Sequence, residues 1–133
     1  MSATDRVCQA IAQSIEQFAK SVDAVRKECT VVAAENCCMA GRSAMGCLLT
    51  DWQDFRAFSP ETLETFHRGL ADAVEQMGHI GVPASSEEQK ISLYHCREST
   101  RHRMNVVAAI RQIEDPDEVW KVATAEFRAL ENI

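Results

Sequence analysis

The stretch from Ile11 to Val32 reads IAQSIEQFAKSVDAVRKECTVV, and its apolar members Ile11, Ile15, Phe18, Val22, Val25, Cys29 and Val32 recur at alternating intervals of four and three. That spacing lines them up in one narrow stripe along an α-helix, with the mean period of a coiled-coil seam. A stripe of this kind gains little while it faces water, so it requires a partner helix. The expected fold class is therefore all-α: long amphipathic helices forming a helical bundle or a coiled-coil-like assembly.

Working outward, the helical pattern starts near residue 4 and meets no proline before Pro60, which predicts a first helix over about 4–58. Its weak point is Ala40-Gly41-Arg42-Ser43-Ala44-Met45-Gly46, where each glycine costs about 1 kcal/mol relative to alanine. Small residues here would equally let a second helix approach closely. Extending the seam by its own spacing lands on Asn36, Met39, Ser43 and Gly46. Either Asn36 sets register within the seam, or the buried face passes to Ala33, Cys37, Ala40, Ala44, Cys47 and Leu48. Leu48, Trp52 and Phe55 then resume the four-three spacing, and Phe58 closes the helix.

Ser59-Pro60-Glu61 carries a capping serine, a first-position proline and a first-turn acid. It starts a helix over about 60–78, with Leu63, Phe66, Leu70, Val74 and Met77 as its stripe. A loop follows at His79-Ile80-Gly81-Val82-Pro83-Ala84. Ser85 and Glu88 have capping-box spacing and open a helix over about 86–113, whose stripe is Leu93, Cys96, Thr100, Met104, Val107 and Ile110. Asp115-Pro116-Asp117-Glu118 opens the last helix, about 116–131, carrying Trp120, Ala123, Phe127 and Leu130. No strand-like alternation interrupts this series, and residues 1–133 are expected to form one helical domain.

Aromatic residues make up only 6% of the chain, so the core is expected to be thin and self-association into a homo-oligomer to supply further burial. The net charge of −6, from 14 basic and 20 acidic residues, opposes general nucleic-acid binding, which needs a cationic face. Lys90, Arg97, Arg101, Arg103 and Arg111 form a local basic run that reads as a solvated helix face. Residues 1–20 lack the apolar core of a secretion signal. The six cysteines are therefore expected to be free thiols in a reducing cytoplasm. No apolar run approaches the roughly 20 residues of a transmembrane helix.

Chemistry is sparse. Glu64-x-x-His67 has the spacing of a bundle metal site, but such sites need a second copy and further glutamates. Cys37, Cys38 and Cys47 with Met39 and Met45 offer soft metal ligands, yet their spacing does not stack them on one helix face; as small apolar fillers they need no metal. His95 beside Cys96 is no dyad, because successive helical side chains diverge. No nucleophile elbow, phosphate loop or dinucleotide fingerprint occurs. The reading is no active site, no cofactor and no enzymatic activity.

The closing segment VVAAIRQIEDPDEVWKVATAEF, Val106 to Phe127, resembles the tail of bacterial phasins, in which an alanine-rich helix meets an acidic or small residue, Pro, any residue and Glu, before a short apolar helix closing on Glu-Phe. Asp51-Trp52-Gln53-Asp54-Phe55 is similar to the acidic and aromatic mid-chain segment of that family. The resemblance implies non-enzymatic coating of polyhydroxyalkanoate storage granules, with a cytoplasmic, granule-associated location. The apolar surface or interface would then draw on Ile11, Ile15, Phe18, Val22, Val25, Trp52, Phe55, Leu63, Phe66, Leu70, Val74, Trp120 and Phe127. Two other readings remain open from the residues: a helical adaptor or chaperone whose stripe packs on a protein partner, and a cysteine-based metal-binding bundle.

Overall fold

The seam of the first helix finds its partners within the same chain. The computed structural model describes residues 3–50 and 60–131, and all their regular structure is α-helical. The elements are α1 (Ala3–Glu28), α2 (Val31–Thr50), α3 (Pro60–Met77), α4 (Glu87–Gln112) and α5 (Pro116–Glu131). α1 packs on α2 and α3, α4 packs on α2 and α3, and α2 and α3 face each other across the diagonal. The result is a four-helix ring with α5 laid on the outside of α4.

Directions follow from individual contacts. Ser14 meets Cys47 across α1 and α2, and Phe18 lies against Gly41, so this pair is antiparallel. Arg97 on α4 donates to the carbonyl of Val74 near the end of α3, which makes the second pair antiparallel as well. Phe18 meets Phe66 and Arg26 meets Asp72, so α1 and α3 run parallel. Two antiparallel hairpins therefore lie side by side.

The long first helix predicted over 4–58 is two helices. The chain reverses at Cys29, whose φ of 51° is left-handed, and the Cys29 N–H donates to the Val25 carbonyl at 2.9 Å as a helix C-terminal cap. Thr30 then caps α2: its Oγ1 accepts from the Ala33 N–H at 3.2 Å. The stripe consequently ends at Val25, leaving Cys29 exposed and Val32 66% exposed. Residues 51–58, with Trp52, Phe55 and Phe58, and the capping Ser59 lie outside the described residues.

No break occurs at the glycines, because α2 continues through Gly41 and Gly46. Its buried face is the small-residue one: Ala33, Cys37, Ala44 and Leu48 are buried, whereas Asn36, Met39, Ser43 and Gly46 are exposed. Gly41 makes room for an aromatic ring, since a Cβ there would sit 3.1 Å from Phe18 Cε2. Gly69 on α3 flanks the same ring, with its would-be Cβ 3.2 Å from Phe18 Cε1. Phe66 meets that ring edge-on at a centroid distance of 5.6 Å. Phe18 is thus held by three helices, and each such buried aromatic stabilises by about 1.5–3 kcal/mol.

Two helix starts differ from expectation. α4 begins at Glu87 with Ser86 as its cap residue and no side-chain capping bond, so the Ser85–Glu88 box does not form. The Asp115 cap does form, its Oδ1 accepting from the Asp117 N–H at 3.0 Å. On α5 the buried face is Val119 and Ala123, with Trp120 46% exposed.

Candidate functional site

Apart from Trp52 and Phe55, which lie outside the described residues, those expected to form an apolar surface fall into three groups. Ile11, Ile15, Phe18, Val22, Val25, Leu63, Phe66 and Leu70 are buried in the ring's own core. Val74 and Phe127 are half-buried, while Trp120 is exposed. The seam that calls for a partner thus finds it on α2 and α3 of the same chain. Val32 and Met39, both about two-thirds exposed, stand on the outer face of α2.

The basic run on α4 is not one solvated face. Lys90 pairs with Glu87 and Arg101 with Glu98 at the surface. Arg97 turns to the end of α3, where its Nε–H donates to the Val74 carbonyl that also accepts from the Gly78 N–H. Arg103 is 8% exposed, buried between α4 and α2. Glu64 and His67 on α3 do not cooperate, since the Glu64 carboxylate accepts from Arg68. Burial lowers the His67 pKa, aided by the charge of Arg111.

The cysteines divide by direction. Cys37 faces α1, where Ser21 hydrogen-bonds it, and burial pushes its thiol pKa up. Cys47 also faces α1, 3.4 Å from Ser14 Oγ. Cys38, about 100° further round the helix, faces α4 instead. Its thiol is hydrogen-bonded to that of Cys96, and Arg103 Nη1 donates to both its Sγ and its carbonyl oxygen at 3.4 Å. The Cys96 thiol, the Arg103 guanidinium and Ser99 all favour a thiolate at Cys38, and they outweigh burial to bring its pKa down to about 6. The Cys96 pKa is pushed up by the same thiol contact, by burial and by the charge of Glu35. Within the pair the Cys38 thiol is thus shifted down and the Cys96 thiol up.

Beside this cluster lies a cavity of about 440 Å³ between α2, α4 and α5, lined by Arg42, Met45, Leu49, Ser99, Arg103, Phe127 and Leu130 among others. Among the described residues, no three His, Cys, Asp or Glu side chains gather where they could hold a metal ion. Cys37 and Cys47 point at α1, whereas Cys38 points at α4. No described helix is long and apolar enough to cross a membrane.

Comparison with models of protein families, with curated proteins and with solved structures finds no match.

The Cys38–Cys96–Arg103 cluster is absent from the sequence-level expectations, which treat the cysteines as fillers and Arg103 as solvated. A trace of it existed. Cys96, Arg103 and Ile110 recur every seven residues, which puts an arginine inside an apolar stripe, where a charge needs a partner. The identity of that partner depends on α2 lying beside α4.

Proposed function

We propose that this chain is a non-enzymatic helical protein that coats apolar surfaces, with polyhydroxyalkanoate granules, implied by the phasin resemblance, as the surface to test. The observation that carries this reading is the contrast between large and small residues within one core. The α1 stripe supplies Ile11, Ile15 and Phe18, whereas most of the α2 face it meets is Ala33, Ala34, Cys37, Gly41 and Ala44, with Met45 and Leu48 toward its end; the α3 stripe of Leu63, Phe66 and Leu70 packs chiefly on α4. Spreading on an apolar polymer exchanges one apolar contact for another at the large side chains and gives up little burial at the small ones. The ion pairs at the helix surfaces, such as Arg68 with Glu64 and Lys121 with Glu118, would remain in water.

The test mixes the purified full chain with polyhydroxybutyrate particles and, separately, with hydrophilic silica. Salt-resistant sedimentation with the polymer alone is the expected result. A chain that stays in the supernatant with both refutes the proposal.

A second reading, a helical adaptor for a protein partner, is favoured by exposed Val32 and Met39 on the outer face of α2. The Val32→Asp, Met39→Asp double variant separates the two. It would abolish partner binding through that face but leave polymer partition intact, because neither residue belongs to the buried stripes.

A further inference from the structure

We propose that Cys38, Cys96 and Arg103 form a thiol-oxidation site, in which a hydroperoxide oxidises Cys38 and Cys96 resolves the product as a disulfide bridging α2 and α4. The argument begins with Arg103. Its guanidinium carries a permanent charge and five N–H donors, it is 8% exposed, and among the described residues no carboxylate pairs with it. Its hydrogen bonds go to the carbonyl oxygen and the Sγ of Cys38. A buried cation gains from an anion beside it; the acidic group hydrogen-bonded to this one is the Cys38 thiol, while the Glu131 carboxylate lines the same cavity without pairing with it. The site is therefore built to hold an anionic sulfur, which is the reactive form of cysteine.

A second sulfur is already in place. Cys96, on another helix, is near enough for the two thiols to shift each other's titration, so a bond between them would join two elements that already pack together. A cavity of about 440 Å³ is bounded by Ser99 and Arg103, the two α4 side chains that act on the Cys38 thiol, so a small peroxide entering it would meet the cluster from the arginine side. Cys37, next in sequence, faces Ser21 on α1 and has no such arginine.

The chemistry balances. The Cys38 thiolate attacks one peroxide oxygen, the S–O bond forms as the O–O bond breaks, and the leaving oxygen takes a proton from solvent. Sulfur is oxidised by two electrons and the peroxide reduced to an alcohol or water. The Cys96 sulfur then attacks the sulfenic sulfur, the S–S bond forms, the S–O bond breaks, and the departing hydroxide takes the Cys96 proton to leave as water.

Treating the full-length reduced chain with one equivalent of hydrogen peroxide tests this. Intact mass should fall by two hydrogens. A non-reducing tryptic map should contain one linked pair, the peptide ending at Arg42 and the peptide ending at Arg97, with fragmentation placing the bridge at Cys38 and Cys96. In Cys96→Ser the product should instead be a sulfenic acid at Cys38, trapped by dimedone. In Arg103→Met a thiol pKa raised by about one unit should slow oxidation at Cys38 about tenfold when assayed about one pH unit below the native value of about 6, and about twofold at neutral pH. The unmodified chain decides the matter without any variant: a bridge to Cys29 or Cys37, or no bridge while other thiols oxidise, overturns the proposal.

Discussion

Gly41 and Gly46 lie on the same helix five residues apart, yet replacing each by alanine should move stability in opposite directions. Alanine gains about 1 kcal/mol over glycine in a helix interior. At Gly46 a new Cβ meets nothing within 4 Å, so that gain should be kept. At Gly41 the Cβ would press on Phe18 Cε2 at 3.1 Å. The ring cannot retreat, because Gly69 borders its other side and Phe66 closes its edge. Overpacking of this kind costs about 1–3 kcal/mol, leaving Gly41→Ala with a net loss of about 1 kcal/mol. Urea unfolding followed by circular dichroism measures both, with midpoints moving up for Gly46→Ala and down for Gly41→Ala at unchanged slope. Phe18→Leu supplies the internal control, since a smaller side chain removes the clash. In that background Gly41→Ala should turn neutral or favourable, a coupling of about 1 kcal/mol or more. If Gly41→Ala stabilises as much as Gly46→Ala in the unmodified chain, the account of how three helices hold Phe18 is wrong.

Other outcomes follow from the same geometry. Cys29→Gly should raise the unfolding free energy by up to about 1 kcal/mol, read as a higher urea midpoint, because a left-handed residue with a Cβ costs about 1–2 kcal/mol while glycine returns part of that through unfolded-chain entropy; Cys29→Val should lower it. Iodoacetamide labelling of Cys38 should decline as pH falls through about 6 and be near its plateau at neutral pH, whereas an ordinary thiol keeps gaining up to about 8.5; parallel profiles would contradict the thiolate assignment. Oxidation that joins Cys38 to Cys96 should raise thermal stability, the closed loop being worth up to about 4 kcal/mol in the chain-entropy picture, as read by calorimetry with and without reductant. The same oxidised protein should partition less onto polyhydroxybutyrate particles than the reduced one, and equal partition would show that spreading leaves the α2–α4 contact closed.

The parts of this fold visible in the sequence are those that periodicity enforces. Phe18, Val22 and Val25 had to share a face, and so did Leu63, Phe66 and Leu70, because any other helix orientation leaves them in water. The reversal at Cys29 carries no such mark. Turns of this sort usually announce themselves with glycine or asparagine, and here a cysteine takes the left-handed position, so the chain reads as uninterrupted. Gly41 misleads in the opposite sense: as a low-propensity residue it suggests a break, yet its missing side chain is what admits Phe18. The thiol site is hidden for a further reason. Cys38, Cys96 and Arg103 come together only because two hairpins stack with α2 beside α4, and no local spacing records which helices become neighbours.

The two parallel contacts between the hairpins are unequal, and that inequality links the thiol site to the proposed coating function. Between α1 and α3 stand the Phe18–Phe66 pair and the Arg26–Asp72 contact. Between α2 and α4 stand Cys38, Cys96, Ser99 and Arg103, polar groups that include a buried charge. A ring that opens on an apolar surface should part at α2–α4, where separation returns the Arg103 guanidinium to water and removes the penalty of burying it, and hinge at α1–α3, where the Phe18–Phe66 pair is kept. A covalent bond between Cys38 and Cys96 acts on that contact alone. It would hold the stripes of α1 and α3 facing inward, and peroxide would thereby determine whether the chain remains a closed bundle or can spread.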